Sequence, residues 1–140
     1  MEYVAGLLFN VEMSVVALVR KNRPAWQAGL YNAIGGKIEE GESPHAAMVR
    51  EFKEETGLLI PMWMPLAVLS GWNKDWAVNF YYQVSDEVWN VQTMEDEPIT
   101  IHRVENVLWK PYLVRNLKVL IPLALDTTGI QKPLILTDVS

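Results

Sequence analysis

The feature that most constrains this chain is a segment with a full set of helix boundary signals around residues 44–56. Ser43 is a residue type that caps a first helical turn, and Pro44 stands where the first helical residue is expected. Gly57 suits the position just past the last turn. Most residues in between are good helix formers. The sequence therefore predicts one well-bounded helix in the first half of the chain.

Three glutamates of this helix, Glu51, Glu54 and Glu55, stand at i, i+3 and i+4, so their carboxylates share one face. Like charges this close repel one another, and a hard cation such as Mg²⁺ or Mn²⁺ would relieve the repulsion because it prefers oxygen ligands. The alternative is a solvated acidic face balanced by Arg50 and Lys53. These residues by themselves favour the two interpretations about equally.

The surrounding stretch Gly36–Leu58 reads GKIEEGESPHAAMVREFKEETGL. A glycine is followed after five residues by a glutamate, seven residues later by Arg-Glu, and then by Glu-Glu-Thr-Gly with apolar residues in two fixed places. A chance match in one window has a probability on the order of 10⁻⁹ to 10⁻¹⁰. The stretch resembles the Nudix box at every defined position. The resemblance implies an α+β fold, a Nudix-type α/β/α sandwich with a mixed sheet and a catalytic loop-helix-loop.

The resemblance also implies roles for the residues of the box. It implies that Glu51, Glu54 and Glu55 bind Mg²⁺ or Mn²⁺ together with the backbone carbonyl of Gly35, and that Arg50 orients the glutamates. Metal ions would neutralise phosphate charge and acidify an attacking water. Within the box, Glu54 or Glu55 is the expected acceptor of the water proton.

Glu97 is a further candidate for that proton transfer, because many Nudix enzymes place an acidic residue in a loop at this point. It belongs to an acidic run that precedes a predicted strand at Ile99. The alternative is an acidic turn exposed to solvent.

Asn32 is the first candidate contact to the substrate. With an asparagine four residues before the box glycine, the chain resembles the oxidised-purine nucleoside triphosphate diphosphatase branch, in which this asparagine touches the base. The alternative is a strand-end asparagine that bonds local backbone. The acidic pair that this branch carries before its last helix is replaced here by Asn116 and Leu117. Asn116 is therefore a second candidate, and the preference for an oxidised purine is in question.

Tryptophans and one lysine complete the candidate contacts. Lys37 could reach a phosphate, or it could be an ordinary solvated lysine. Trp26, Trp72 and Trp76 lie in or beside predicted loops and could stack on a base. The remaining tryptophans are predicted to pack inside the protein: Trp63, Trp89 and Trp109.

Length and composition set the outer limits. With 140 residues, half of them hydrophobic, we expect a single domain over residues 1–140. There is no cysteine, which excludes thiolate chemistry and is compatible with a reducing cytoplasm, the predicted location. A net charge of −5 argues against duplex nucleic acid as a partner. The apolar runs are too short to cross a membrane, and no segment identifies an interface for a possible homodimer.

Alternating and β-branched patterns predict the rest of the fold. The predicted strands are Tyr3–Asn10, Ser14–Arg20, Tyr31–Ile34, Met64–Ser70, Trp76–Val84 and Ile99–Val104. A second helix is predicted over Tyr112–Leu125, with a kink or an early stop at Pro122.

The expected substrate is a small nucleotide in which a nucleoside diphosphate is linked to another group. The leading hypothesis is hydrolysis of a (d)NTP, with oxidised purines included, to the monophosphate and pyrophosphate. ADP-ribose, a nucleotide sugar or a dinucleoside polyphosphate is the alternative substrate. A nucleotide-binding module of the same fold without catalysis is the alternative of another class, and the intact set of box glutamates argues against it.

Overall fold

Eight strands form one mixed sheet in this computed structural model, which describes residues 1–139. Their bounds are β1 Glu2–Phe9, β2 Val15–Arg20, β3 Tyr31–Asn32, β4 Ile34–Lys37, β5 Met64–Gly71, β6 Ala77–Val84, β7 Ile99–Arg103 and β8 Leu134–Asp138. The main order is β3-β2-β1-β6-β5-β8, while β4 pairs with β1 and β7 pairs with β2. The β1–β6 and β5–β8 pairs are parallel and the others are antiparallel.

Helices cover both faces of the sheet. They are α1 Pro44–Thr56, α2 Val104–Val107 and α3 Leu117–Leu125. Side chains alternate along β1, so Leu7 packs in one core cluster with α3 and Leu8 packs in a second cluster with α1. Phe52 of α1 is fully buried in that second cluster and meets Trp63 edge to face at 4.9 Å. The expected α/β/α arrangement of layers is confirmed.

Helix α1 has the predicted boundaries, and each boundary signal acts as expected. The Ser43 hydroxyl accepts a hydrogen bond from the Ala46 N–H at 3.1 Å. Gly57 adopts a left-handed conformation with φ +81°, and its N–H donates to the Lys53 carbonyl at 2.8 Å. A residue with a Cβ would be strained at Gly57. The acidic residues of α1 are thus held on a helix of fixed register.

Two predicted elements differ in the structure, and one strand was not predicted. The strand expected over Tyr31–Ile34 divides into β3 and β4, because β3 pairs with β2 whereas β4 pairs with β1. The helix expected from Tyr112 begins only at Leu117 and continues through Pro122 without stopping. Strand β8 was not predicted, and it adds to the sheet by pairing with β5.

The tryptophans expected in the interior behave differently from one another. Trp63 is buried with 3% of its surface exposed, as predicted. The prediction was wrong for Trp89 and Trp109, which are 55% and 83% exposed, because composition does not say which side of an element faces solvent. Among residues 1–139, no helix has the length and apolarity needed to span a bilayer.

Candidate active site

The acidic face of α1 places its three glutamates in different environments. Glu55 is 7% exposed, and its Oε2 atom is buried without a hydrogen-bond partner. The side chain of Glu51 is 15% exposed and that of Glu54 is 52% exposed. A buried carboxylate oxygen without a partner is costly, which singles out Glu55 as a group that lacks a ligand.

Arg50 joins most of the acidic groups around this helix. Its Nε and Nη2 donate to the two carboxylate oxygens of Glu42 at 2.7 and 2.9 Å, a bidentate pair. Its Nη1 donates to Glu51 at 2.9 Å and to Glu54 at 3.3 Å. Its Nη2 also donates to the Lys37 carbonyl at 3.1 Å. One guanidinium therefore fixes two of the three helix carboxylates relative to the loop before the helix.

Two glycines of β4 let the backbone come close to these groups. A Cβ at Gly36 would lie 2.5 Å from the Glu51 carboxylate carbon, so the acidic side chain rests directly on the glycine backbone. A Cβ at Gly35 would overlap the Val4 carbonyl of the neighbouring strand. Gly36 therefore gives the close approach of sheet to helix, and Gly35 gives the close approach of β4 to β1.

Burial and mutual repulsion dominate the electrostatics of this face. Burial raises the pKa of Glu55 to about 8, and the neighbouring Glu51 charge acts in the same direction. Burial also raises the pKa of Glu51, although Arg50 opposes the change. By contrast, hydrogen bonds from Arg50 and from the Glu39 backbone lower the pKa of Glu42 to about 2.

These observations fit a hard divalent cation. The donors are carboxylate oxygens, one buried oxygen lacks a partner, and burial has made ionisation of two of them costly. As the side chains stand, no three His, Asp or Glu residues within positions 1–139 converge into a ready set of metal ligands. Glu54, which is half-exposed, is held by Arg50.

A cavity of about 560 Å³ lies beside this face and reaches from β4 to the C-terminal strand. Five of the predicted substrate contacts line it: Trp26, Asn32, Lys37, Trp76 and Asn116. Trp72 is 72% exposed and is not among the described residues of the cavity wall. A second, more open cleft of about 850 Å³ includes Lys37 and Glu51 in its wall, so Lys37 stands between the two spaces.

The amide of Asn32 already has local partners. Its Nδ2 donates to Gln27 Oε1 at 2.9 Å, and its Oδ1 accepts from the Ala33 N–H at 2.8 Å. Asn32 therefore bonds local backbone, as one interpretation of the sequence expects, and it also lines the cavity. These two bonds leave one N–H and one lone pair of the amide unused.

Three charged or amide residues of the cavity wall were not predicted: Lys21, Gln27 and Asp138. Asp138 ends β8, and its carbonyl accepts from the Trp72 N–H at 3.1 Å. The run Leu134–Thr137 is a weak strand signal in the sequence, but only its pairing with β5 brings Asp138 to the cavity.

Glu97 is 7% exposed and occupies the acidic loop expected from the sequence. Its Oε1 accepts from Lys21 Nζ at 2.9 Å, and its Oε2 accepts from the Asn22 N–H at 2.6 Å and the Arg23 N–H at 3.4 Å. Partial burial alone would raise the pKa of Glu97, but the bonds from Lys21 and from the two backbone groups outweigh burial and lower it.

The layers of the sheet, the loop-helix-loop and the acidic helix face define a Nudix fold. The sequence of residues 2–114 matches the family model of the NUDIX domain, and the chain belongs to the Nudix family. The matched range includes α1 and β4 and ends before α3 and β8.

Two curated relatives match shorter segments. An 8-oxo-dGTP diphosphatase from Escherichia coli (strain K12) is 36% identical over 58 residues, 41% of this chain and 44% of that protein. An octanoyltransferase from Myxococcus xanthus is 47% identical over 47 residues, 34% of this chain and 13% of that protein. The chain therefore spans less than half the length of either relative.

Solved structures show the same fold over most of the chain. A MutT protein from Bacillus halodurans matches with a TM-score of 0.73 at 20% identity, and the match covers 99% of this chain and 90% of that protein. The NUDIX domain of NrtR from Shewanella oneidensis, solved with ADP ribose, matches with a TM-score of 0.72 at 21% identity. This match covers 89% of this chain and 85% of that domain's chain. At this level of identity the likeness is one of fold.

Proposed function

We propose that this protein is a Nudix pyrophosphohydrolase that cuts a diphosphate linkage in a nucleotide with the help of Mg²⁺ or Mn²⁺. The observation that carries the proposal is the contact between the acidic face and the cavity. Gly36 lines the cavity on one side and supports the Glu51 carboxylate on the other. A phosphate chain entering along β4 would reach the helix carboxylates while the attached group stays in the cavity.

The proposed substrate is a (d)NTP, with oxidised purines included, cut to the nucleoside monophosphate and pyrophosphate. Side-chain amides of Gln27, Asn32 and Asn116 and the rings of Trp26 and Trp76 line the cavity, which suits a flat, polar-edged base. The 8-oxo-dGTP diphosphatase among the relatives supports the same class of substrate.

The proposed reaction is the attack of water on one phosphorus of the diphosphate bridge. The water oxygen forms the new P–O bond, the bridging P–O bond breaks, and the proton passes to Glu54 or Glu55. Divalent ions held by Glu51, Glu54, Glu55 and the Gly35 carbonyl would neutralise phosphate charge and acidify the water. Arg50 holds Glu51 and Glu54 in place, and Lys37 borders both the cleft and the cavity where phosphate oxygens would lie.

A hydrolysis screen tests the proposal. The purified chain is incubated with Mg²⁺ or Mn²⁺ and with (d)NTPs, oxidised nucleotides, ADP-ribose, nucleotide sugars and diadenosine polyphosphates, and the products are identified. We expect a monophosphate and pyrophosphate from a (d)NTP, and no reaction in excess EDTA. Faster cleavage of ADP-ribose or of a dinucleoside polyphosphate would replace the proposed substrate and keep the chemistry.

Two variants test the metal assignment. Glu54→Gln and Glu55→Gln should each lower kcat by about 10²-fold or more, since each removes a metal ligand or the proton acceptor. Glu105→Gln on α2 is the matched control, because this glutamate pairs only loosely with Arg103 at 3.6 Å. Near-normal turnover of both box variants would refute the assignment. Tight nucleotide binding without hydrolysis in any metal would favour the non-catalytic module.

A further inference from the structure

Glu97 makes contacts that suit a fixed anchor better than a proton acceptor. Both of its carboxylate oxygens accept hydrogen bonds, one from Lys21 and the other from backbone N–H groups. Its side chain is 8% exposed, so little of it can meet a water molecule. A general base needs a lone pair directed at the water, and it works best with a pKa near the working pH. These bonds instead favour the ionised form of the Glu97 carboxylate, and they occupy lone pairs that a water molecule would need.

Lys21 is the partner of this anchor, and it lies at the substrate cavity. Its side chain is 20% exposed, its Nζ is 2.9 Å from Glu97 Oε1, and the residue belongs to the cavity wall. Gly36, which rests against the Glu51 carboxylate of α1, belongs to the same cavity wall. A lysine ammonium has three donors, and Glu97 uses one of them.

The loop that carries Lys21 is fixed at several points. The Arg20 N–H donates to the Pro98 carbonyl at 2.9 Å, which joins the end of β2 to the segment beside Glu97. The Asn22 N–H bond to Glu97 holds the next residue. A cation fixed in this way loses little freedom when an anion binds, so most of its interaction is available for binding.

We infer that Lys21 binds a phosphate oxygen of the substrate and that Glu97 is a positioning residue that holds Lys21 at the cavity. This inference rests on the proposed function, because it assigns the phosphate end of the same site. It leaves the water proton to Glu54 or Glu55. No sequence motif marks Lys21, since its link to Glu97 joins residues 76 positions apart.

A double-mutant cycle tests the inference on the substrate that is hydrolysed fastest. We expect Lys21→Met to lower kcat/KM about 10- to 100-fold, which is the range for losing a charge-assisted contact. Glu97→Gln should lower it about 10-fold, mainly through KM. The double variant should match Lys21→Met within about threefold, because Glu97 acts through Lys21. Lys21→Arg, which keeps the cation, should recover most of the loss.

Two results would overturn the inference. One is a loss of kcat of about 10³-fold in Glu97→Gln that recurs by the same factor in the Lys21→Met background, since that is the behaviour of an independent general base. The other is a Lys21→Met variant with kinetics within twofold of the wild type. Thermal unfolding of each variant, with Lys21→Arg as the variant that retains the ion pair, separates loss of fold from loss of function.

Calorimetric binding of inorganic pyrophosphate with Mg²⁺ gives a readout that needs no turnover. Lys21→Met and Glu97→Gln should both weaken this binding, whereas loss of a general base should leave it unchanged. If the wild type binds pyrophosphate and hydrolyses nothing in the screen, the proposed function fails and the role of Lys21 is still tested. Wild-type affinity in both variants would refute the placement of a phosphate at Lys21.

Discussion

Glu55 makes the metal-free protein depend on pH in a direction that can be worked out. Burial raises the pKa of this carboxyl from 4.5 to about 8 in the folded chain. Below pH 4.5 both the folded and the unfolded chain hold the proton, and the full stability is present. Between pH 4.5 and 8 the unfolded chain releases the proton first, so the free energy of unfolding falls as pH rises. Above about pH 8 both states are ionised and the loss is complete.

The magnitude follows from the same pKa values. The difference between 4.5 and about 8, at about 1.4 kcal/mol per pH unit, gives at most about 5 kcal/mol. Entry of water and small movements of the helix reduce this value, so we expect a measured effect of about 2 to 5 kcal/mol. Such a loss is a large part of the total stability of a small domain.

Glu55→Gln isolates this contribution from all other titrating groups. Urea unfolding of the wild type and the variant is measured in EDTA at pH 5 and at pH 9. The glutamine keeps the shape and carries no proton equilibrium, so the two proteins should be close at pH 5. At pH 9 the variant should be the more stable by about 2 to 5 kcal/mol. The quantity to compare is the difference in free energy of unfolding between variant and wild type, and how it changes from pH 5 to pH 9.

Adding Mg²⁺ or Mn²⁺ completes the test, because a cation favours the ionised carboxylate. The metal should stabilise the wild type at pH 9 and should stabilise Glu55→Gln much less. A variant whose stability relative to the wild type is the same at pH 5 and pH 9 would refute the argument from burial. An equal metal effect on both proteins would remove Glu55 from the set of ligands.

Two further predictions use matched pairs of side chains. Trp26 and Trp72 are 68% and 72% exposed, and of the two only Trp26 lines the cavity. Trp26→Ala should raise KM about 10-fold because the proposed base stacking is lost, whereas Trp72→Ala should leave KM within about twofold of the wild type. An equal effect of both would reject stacking at Trp26. In urea unfolding, Phe52→Ala should lower the free energy of unfolding by about 3 to 5 kcal/mol, because Phe52 is fully buried against Trp63. Leu59 is 56% exposed, so Leu59→Ala should lower it by less than about 0.5 kcal/mol. A cost below about 1 kcal/mol for Phe52→Ala would show that this contact does not hold α1 on the sheet.

Sequence reasoning succeeded where the determining contacts are local. Ser43 and Gly57 specify the ends of α1 through hydrogen bonds within four residues, and Pro44 suits the first helical position because its backbone angle is already fixed. The spacing of the glutamates then places them on one face. The same reasoning failed for the helix expected from Tyr112. There the Tyr31 N–H donates to the Tyr112 carbonyl at 2.7 Å, so residues just before Leu117 are drawn to β3 instead of the helix. A pairing across 81 positions leaves no periodic signal.

The cavity wall shows the same division between local and distant contacts. Asn32 and Lys37 could be predicted to lie at the cavity because Asn32 precedes the box and Lys37 is its second residue. Lys21 and Asp138 could not, because one is placed by Glu97 and the other by the pairing of β8 with β5. Trp89 and Trp109, which were wrongly expected in the core, could be located only from the faces that their segments present to solvent.

This division explains why the box defines the chemistry and leaves the substrate open. The carboxylates that would hold metal lie within one helical turn and a half, and a single arginine keeps two of them in register with β4. The cavity wall, by contrast, draws its polar groups from four separate parts of the chain, between Lys21 and Asp138. The parts that contain Lys21, Asn116 and Asp138 lie outside α1 and β4, whereas Lys37 of β4 is bonded to Arg50 of α1 through its carbonyl. The composition of the cavity wall is therefore a property of tertiary assembly, and variants of that wall that leave α1 unchanged would test the proposed selectivity for a base.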